Sequence, residues 1–436
     1  MSNFWLRNMG YVIFRTEVFD VNRIPGWLLI YGRRKVGKTF LVRRFLSYDR
    51  YFLVRRDLTI VDEGGARLAY TDFVGKVVKF LKSGMTVVVD EFQRLPLSFM
   101  DEVVLAHPSG RLILLGSSLR LVHRVFSTGS PLLGLVTPFR LDLIRPSDIL
   151  LSLVERIGAV ESIELCPFLR EPWIIKYIDM YGGDSSRFVY EILRLNFYTV
   201  KSLIGEVFRE EERELTSRYE AILSIVASGY WKVKDIAAIL YGRSLISRPD
   251  TGLVRQYVLN LAHMGLIEIV PVVNMREKYV KLASPIMDLY FFMDDRYNIE
   301  EEGMPSFNEV KDVIKTRLCM YVQDFIAKLY SQMLELKLNY YISPRVEIDF
   351  VLTKRRRIEV VGEVKWRRKV GSRDVALFSR KCVQIPSRRR LFIAKGKVKG
   401  AEGIDVRAPE DVVKDTLQWM RARYPEYLVL IKHERH

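Results

Sequence analysis

The sequence predicts an α/β chain of four modules: a parallel-sheet domain at residues 1–150, a helical extension at 151–215, a three-helix module with a β-hairpin at 216–298, and a second α/β domain at 299–436. Three observations predict it. WLLIYGRRKVGKTFLVRRFL reads as a buried strand, a glycine-bounded turn and an amphipathic helix; TVVVD is an apolar strand ending on acids; and VEIDFVLTKRRRIEVVGEVKW places Asp349 on one strand and Glu363 with Lys365 on the next. At 436 residues the chain exceeds what one hydrophobic core organises, so several modules are the default.

Composition sets the class. With 49% hydrophobic and 28% charged residues the chain is a folded protein and not a disordered one. A formal charge of +17 and a pI near 9.6 favour a polyanionic partner, but charge does not choose among DNA, RNA and an acidic membrane surface. The Lys, Arg and Glu enrichment of thermophilic proteins, with scarce Gln, is the other source of such an excess. Cys166, Cys319 and Cys382 are far apart and form no CxxC pair, which points away from a zinc knuckle or disulfide framework and toward the cytoplasm. No stretch of about 18 uncharged apolar residues occurs, and the start lacks the features of a secretory signal, so a soluble protein is expected.

Within the first module, strand Trp27 to Tyr31 leads into Gly32, Arg33, Arg34, Lys35, Val36, Gly37, Lys38 and Thr39, the GxxxxGK[ST] pattern of a P-loop. The glycines let consecutive N–H groups curl around phosphate oxygens. Lys38 brings a mobile cation to the β- and γ-phosphates of ATP, Thr39 a hydroxyl for Mg²⁺, and the helix start adds its own field and free donors. The apolar run to Asp90 and Glu91 has the form of a buried parallel strand with acids at its carboxyl end. There Asp90 would hold the Mg²⁺ shell and Glu91 would take a proton from the attacking water. A further strand, Arg111 to Leu115, ends at Gly116, Ser117 and Ser118; a hydroxyl here would orient that water or sense the γ-phosphate, or would cap the next helix. Strands near Tyr51 to Val54 and Phe139 to Leu143 complete a sheet of about five, with helices at Thr71 to Leu81 and Met100 to Ala106.

The segments YGRRKVGKT, VVVDEFQRL, LILLGSSLRL and PFRLDLIRPSD together resemble the archaeal ATPase family of the additional-strand P-loop class, related to the STAND proteins. The resemblance covers nearly the whole chain and implies an ATPase core, a helical extension packed over the nucleotide, a winged helix and often a nuclease-like C-terminal domain. It gives Asp90 the Mg²⁺ role and Glu91 that of the base. Two features depart from it. The segment holding Arg15, Glu17, Asn22 and Arg23 matches the family's Arg-Glu opening loosely, and Gly134–Leu135 stands where a Gly-Arg pair is common. An arginine sensor would then come from Arg120, Arg124, Arg140 or a neighbouring subunit.

From Pro146 helical periodicity takes over, punctuated at Gly182 and Gly183. Helices at Ala221 to Val226 and Val233 to Leu240, a third capped by Thr251, and two short strands make the winged form of helix-turn-helix. Reading DNA, its third helix would offer Arg248, Arg255, Gln256, Asn260 and His263, with Arg276 and Lys278 on the wing for phosphates; such modules equally serve as protein-binding surfaces.

After a linker near Ile299 to Ser306 and a helix from Val310 to Met333, Glu363 and Lys365 project from one face of a strand, where Asp349 on the antiparallel neighbour can meet them. Asp349 and Glu363 can bind a second Mg²⁺ or Mn²⁺ with the Val364 carbonyl, and Lys365 can position a water or neutralise a phosphorane. The pattern resembles the D…ExK core of the restriction-endonuclease-like superfamily; the first-helix acid would be Glu309 or Asp324, or be partly replaced by Gln323. A structural salt-bridge network is the plain alternative. The expected function is a nucleotide-gated, DNA-binding or DNA-processing ATPase; the alternative is a signalling or scaffold switch with a protein-binding winged helix and a silent last domain.

Overall fold

The computed structural model describes residues 11–96, 98–106, 109–117, 125–211 and 216–427. Packing divides the chain into two compact units, one of Arg15–Leu143 with Leu203–Leu215, the other of Met1–Phe14, Ile144–Ser202 and Thr216–His436. Three of the modules expected from sequence are thus gathered mainly into one body. None of the described helices is long and apolar enough to cross a membrane.

The first unit holds a seven-stranded sheet of β1 (Trp27–Tyr31), β2 (Arg50–Val54), β3 (Ile60–Asp62), β4 (Arg67–Leu68), β5 (Thr86–Asp90), β6 (Arg111–Gly116) and β7 (Val136–Arg140), in the order β4-β3-β2-β5-β6-β1-β7. The five strands read from sequence are parallel. The last of them starts three residues earlier than expected, and Leu141 just beyond it donates to the Tyr31 carbonyl at 2.7 Å. The short β3 and β4 add antiparallel on one edge; at three and two residues they are too brief for a periodicity to show. β6 lies between β1 and β5, so an additional strand separates the phosphate-loop strand from the acid-bearing one. Val87, Val88 and Val89 are wholly buried, as a strand covered on both faces requires. Helices Tyr70–Lys82 and Ser98–Leu105 cover one face through Phe73, Val77, Leu81, Phe99 and Val103.

Arg15 and Glu17 carry more than their loose match to the family opening suggested. Both are buried, and Arg15 pairs with Glu17 at 2.6 Å while donating to the carbonyls of Val36 at 2.6 Å and Asp142 at 2.9 Å. One guanidinium therefore joins the phosphate loop to the segment after β7.

In the second unit, helices Pro146–Ile157 and Ala159–Leu169 meet at Gly158 (φ +79°) and pack against helices Phe307–Leu334 and Pro409–Arg423. These two helices of the extension contact the C-terminal domain, which explains why hydrophilic Ser147, Asp148, Ser162 and Glu164 are buried along with the apolar residues. Helices Ser217–Ala227, Val233–Gly242 and Thr251–His263 are followed by the hairpin β8 (Ile267–Pro271) and β9 (Lys278–Leu282), the winged-helix arrangement. Asp250, not Thr251, caps the third helix, accepting from Gly252 N at 2.8 Å and Leu253 N at 3.0 Å. The expected linker after Tyr297 contains the short helix Ile299–Glu302.

The C-terminal sheet comprises β10 (Lys337–Ile342), β11 (Glu347–Lys354), β12 (Arg357–Lys365), β13 (Arg389–Ala394) and β14 (Asp405–Arg407), in chain order. β10, β11 and β12 run antiparallel, and β13 and β14 continue parallel to β12, with helix Ser372–Val383 as the crossover. Lys281 of β9 reaches Asp324 and Tyr340, and Lys328 joins Glu268 to Asp324, so the hairpin and the long helix share a compensated charge cluster.

Arg15→Ala is expected to lower stability by about 3–5 kcal/mol in urea denaturation, because Glu17 is left charged and buried. The double variant Arg15→Ala/Glu17→Ala should recover part of that loss; a single variant as stable as the parent would show the clamp to be dispensable.

Candidate functional site

The loop after β1 is shaped by backbone that few side chains tolerate. Lys35 has φ +64° and Gly37 φ +93°, and a Cβ on Gly32 would lie 2.0 Å from the Leu141 carbonyl oxygen. Only glycine fits at position 32. Helix Lys38–Phe45 starts at Gly37, so its first N–H groups face the loop. The Lys38 ammonium donates to the carbonyls of Gly32 at 2.7 Å and Arg33 at 3.1 Å, bracing the loop it closes. Val36 is fixed through its carbonyl to Arg15. Lys35 is exposed, and the Arg34 side chain, expected with the phosphates, forms an ion pair with Glu206 at 2.7 Å; Glu206 also pairs with Arg56.

The acid end of β5 meets this loop. Asp90 is 3% exposed, and its Oδ2 accepts from Thr39 Oγ1 and Tyr51 Oη, each at 2.6 Å, while Oδ1 accepts from Glu91 N at 2.8 Å. Burial, and then the Asp90 charge, push the Tyr51 phenol well above its ordinary value, so it remains a donor across the working pH range. Thr39 and Asp90, 51 positions apart, thus share one contact, and a carboxylate beside a hydroxyl fits the donor set of a hydrated Mg²⁺.

Glu91 sits in the left-handed region at φ +58°, an uncommon conformation for a side chain of its size. Its Oε2 accepts from Gln93 Nε2 at 2.7 Å and pairs with Arg94 at 2.9 Å. Gln93 also reaches Ser117 Oγ at 3.1 Å, so the ends of β5 and β6 are linked, and Arg94 continues to the Val54 carbonyl at 2.7 Å. Tyr51, Gln93 and Arg94 were missed as site residues. Gln93 and Arg94 fall within the VVVDEFQRL segment; Tyr51 has no sequence signal beyond a hydroxyl on an apolar strand. Arg140 is ion-paired with Asp142 at 2.9 Å, and Ser118, Arg120 and Arg124 lie outside the described residues.

The second constellation is assembled on the C-terminal sheet. The antiparallel register sets Asp349 beside Glu363, and Asp349 Oδ2 accepts from Val364 N at 2.7 Å. Glu363, 2% exposed, is held by Lys365 at 2.6 Å and, through both oxygens, by Lys381 at 2.8 and 3.0 Å. Lys381 comes from the crossover helix, and no sequence spacing joins that helix to the strand. Neither candidate acid of the long helix arrives: Glu309 caps its own helix with Ser306, and Asp324 is held by Lys281 and Lys328. Gln323 does arrive, donating at 3.2 Å to the Val364 carbonyl expected as a metal ligand. Among the described residues no group of three or more His, Cys, Asp and Glu side chains could hold a metal ion. Two carboxylates and a carbonyl match a cation that retains most of its water, though Glu363 would have to exchange an ammonium for it.

The expected DNA-facing groups of the winged helix are partly engaged elsewhere. Asn260 donates to Tyr219 Oη at 3.0 Å and Arg248 faces Asp250 at 3.3 Å, whereas Arg255, Gln256 and His263 are exposed. Arg276 and Lys278 are exposed too, but the hairpin is docked: Val273 N donates to the Tyr340 carbonyl at 2.9 Å and Asn274 Nδ2 to that of Ile342 at 2.8 Å.

Burial, then the neighbouring Glu363 charge, push Asp349 up to about 6 from 3.8. A raised carboxyl contributes stability below its ordinary value that is lost as pH rises through about 6. Asp349→Asn should therefore be stabilised relative to the parent on going from pH 4 to pH 7.5, by up to about 3 kcal/mol. Thermal unfolding at the two pH values checks this; a parent-minus-variant difference independent of pH would contradict it.

No protein-family model matches the chain, and no curated protein matches it. Among solved structures, the ORC2 protein of Aeropyrum pernix in ADPNP-ADP complexes is similar at a TM-score of 0.35 and 15% identity, over 71% of this chain and 96% of that one. The ORC1 protein of the same organism in complex with DNA gives 0.31 and 14%, over 67% and 95%. CDC6P from Pyrobaculum aerophilum gives 0.24 and 13%, over 66% and 93%. Superpositions this loose transfer neither a residue role nor a ligand.

Proposed function

We propose that this chain binds ATP with Mg²⁺ and hydrolyses it, and that nucleotide occupancy governs an action on DNA. The observation that carries the ATPase reading is the contact between Thr39 and Asp90 beside the Lys38-braced loop, across an additional strand. A bound Mg²⁺ would be held by Thr39, with Asp90 ordering its shell, and supplies charge neutralisation at the phosphates. Loop amides from Gly32 to Thr39 receive phosphate oxygens, and Lys38 exchanges its two carbonyl partners for them. Glu91 takes the proton of the attacking water, with Gln93 setting its place relative to Ser117. The Arg34–Glu206 pair is the support for gating, since it ties the same loop to the end of helix Ser185–Glu210.

For the C-terminal domain we infer a restriction-endonuclease-like site acting on DNA phosphodiesters with Mg²⁺ or Mn²⁺. Asp349, Glu363 and Lys365 on one sheet face support it, as do the antiparallel-then-parallel strand order and the exposed Arg367, Arg368 and Lys369 directly after the site. Lys365 would neutralise charge developing on the scissile phosphate.

Titration calorimetry with Mg²⁺ should detect ATP binding by the parent and its loss in Lys38→Ala; absence of binding to folded parent would remove the reading. Glu91→Gln should retain ATP and lose turnover by about 10² or more. On single-stranded, duplex and branched DNA with Mn²⁺, cleavage that survives Asp349→Ala would defeat the metal role of that residue.

A further inference from the structure

The basic runs of the C-terminal domain, adjacent to the acidic site in sequence, are sorted by the sheet to opposite ends. Arg367–Lys369 and Lys395–Lys399 follow the carboxyl ends of β12 and β13, where Lys365 and Ala394 are paired. Lys354 to Arg357 form the turn between β11 and β12, and Arg388 to Arg390 lead into β13, whose Arg389 pairs with Val360 of β12. The second group therefore lies at the other end of the same sheet from Asp349, Glu363 and Lys365.

Most charges in that far group are uncommitted. Lys354, Arg355, Arg356 and Arg357 are exposed and form no ion pair among the described residues. Arg388 faces Glu359 at a long 3.4 Å, and the Arg389–Asp405 pair is the one close compensation. The turn is also poorly suited to its residues. Two residues, Arg355 and Arg356, join the paired ends Lys354 and Arg357, and Arg355 adopts φ +57°, a position at which glycine or asparagine is favoured. A bulky cation held in left-handed backbone at a solvent-facing tip, beside three more cations, opposes both local conformation and local electrostatics; a polyanion would offset the electrostatic part.

We propose that this far end is a second binding surface for a nucleic-acid phosphate backbone, gripped by Lys354, Arg355, Arg356, Arg357, Arg388 and Arg390, and separate from the Asp349–Glu363 site. The proposal rests on the DNA reading above but not on cleavage. β12 rises about 3.3 Å per residue, so Arg357 and Lys365 are roughly 26 Å apart. Phosphates along one strand of a duplex advance about 3.4 Å along the helix axis, so a duplex must span about eight base pairs to touch both ends. Binding should accordingly depend on length: a short duplex occupies one end at a time, a longer one both.

The test uses the full chain and Arg355→Gly/Arg356→Asn, which removes two charges while placing glycine at the turn position of positive φ, so a folding defect is not expected and an unchanged or higher melting temperature verifies that. Fluorescence anisotropy of labelled duplexes of about six and about 20 base pairs is followed against salt, with Arg368→Glu/Lys369→Glu as the near-end comparison. For the long duplex, the parent's log K against log salt slope should fall by about one to two in the turn variant, with binding weakened about ten-fold or more. For the short duplex the loss should be smaller. An unchanged slope and affinity for the long duplex overturns the second surface while leaving the DNA reading in place. A parent that binds neither duplex overturns both. Loss of binding to phosphatidylserine vesicles with DNA binding intact would overturn the proposal in favour of a membrane surface.

Discussion

Asp90 is the point on which the geometry of the loop after β1 and the end of β5 depends. A carboxylate buried to 3% exposure is costly unless its oxygens are occupied, and three donors from three places in the chain occupy them: Thr39 from the loop helix, Tyr51 from β2 and the amide of Glu91. Satisfying that one group aligns the loop with the ends of two strands. It also imposes the turn that lifts Glu91 into left-handed backbone, where Gln93 and Arg94 can hold it. Electrostatic compensation of Asp90 and the placement of the Glu91 side chain are here the same arrangement.

A comparable constraint governs the C-terminal site, with another outcome. Glu363 is buried between two ammonium groups, and Asp349 next to it is biased toward its neutral form. The Glu363 charge is therefore answered within the cluster by Lys365 and Lys381, without any added ion. A cation would compete with Lys365 and Lys381, and Gln323 occupies the carbonyl it would seek. The chemistry proposed for this site therefore begins from a closed, self-compensated state, whereas the phosphate loop presents amide donors for which an anion is the natural partner.

The two sites differ in how much of them could be read in advance. The residues of the phosphate loop are contiguous, and Asp90–Glu91 follow an unbroken valine run, so local spacing was enough to name Lys38, Thr39, Asp90 and Glu91. Tyr51 escaped notice because its role is to meet a carboxylate 39 positions away. Arg34 was grouped with the phosphates on proximity in sequence, but Glu206 draws its side chain away. At the C-terminal site, strand alternation correctly set Glu363 and Lys365 on one face with Asp349 opposite, while Lys381 and Gln323 come from helices whose docking no periodicity encodes. The wing basic residues were legible as charges, not as parts of a hairpin stitched to β10.

What the sequence determined by itself is therefore whatever depends on short-range geometry: the glycines around the loop, the apolar strands, the helical middle and the three-helix-plus-hairpin module. Tertiary structure alone decided that β6 separates β1 from β5, that Arg15 joins the loop to the segment after β7, that the helical extension packs on the C-terminal domain, and that neighbouring basic runs part to opposite ends of one sheet. Backbone sterics act over a few residues and leave a local pattern; compensation of buried charge and strand order join residues far apart in the chain, and spacing carries no record of them.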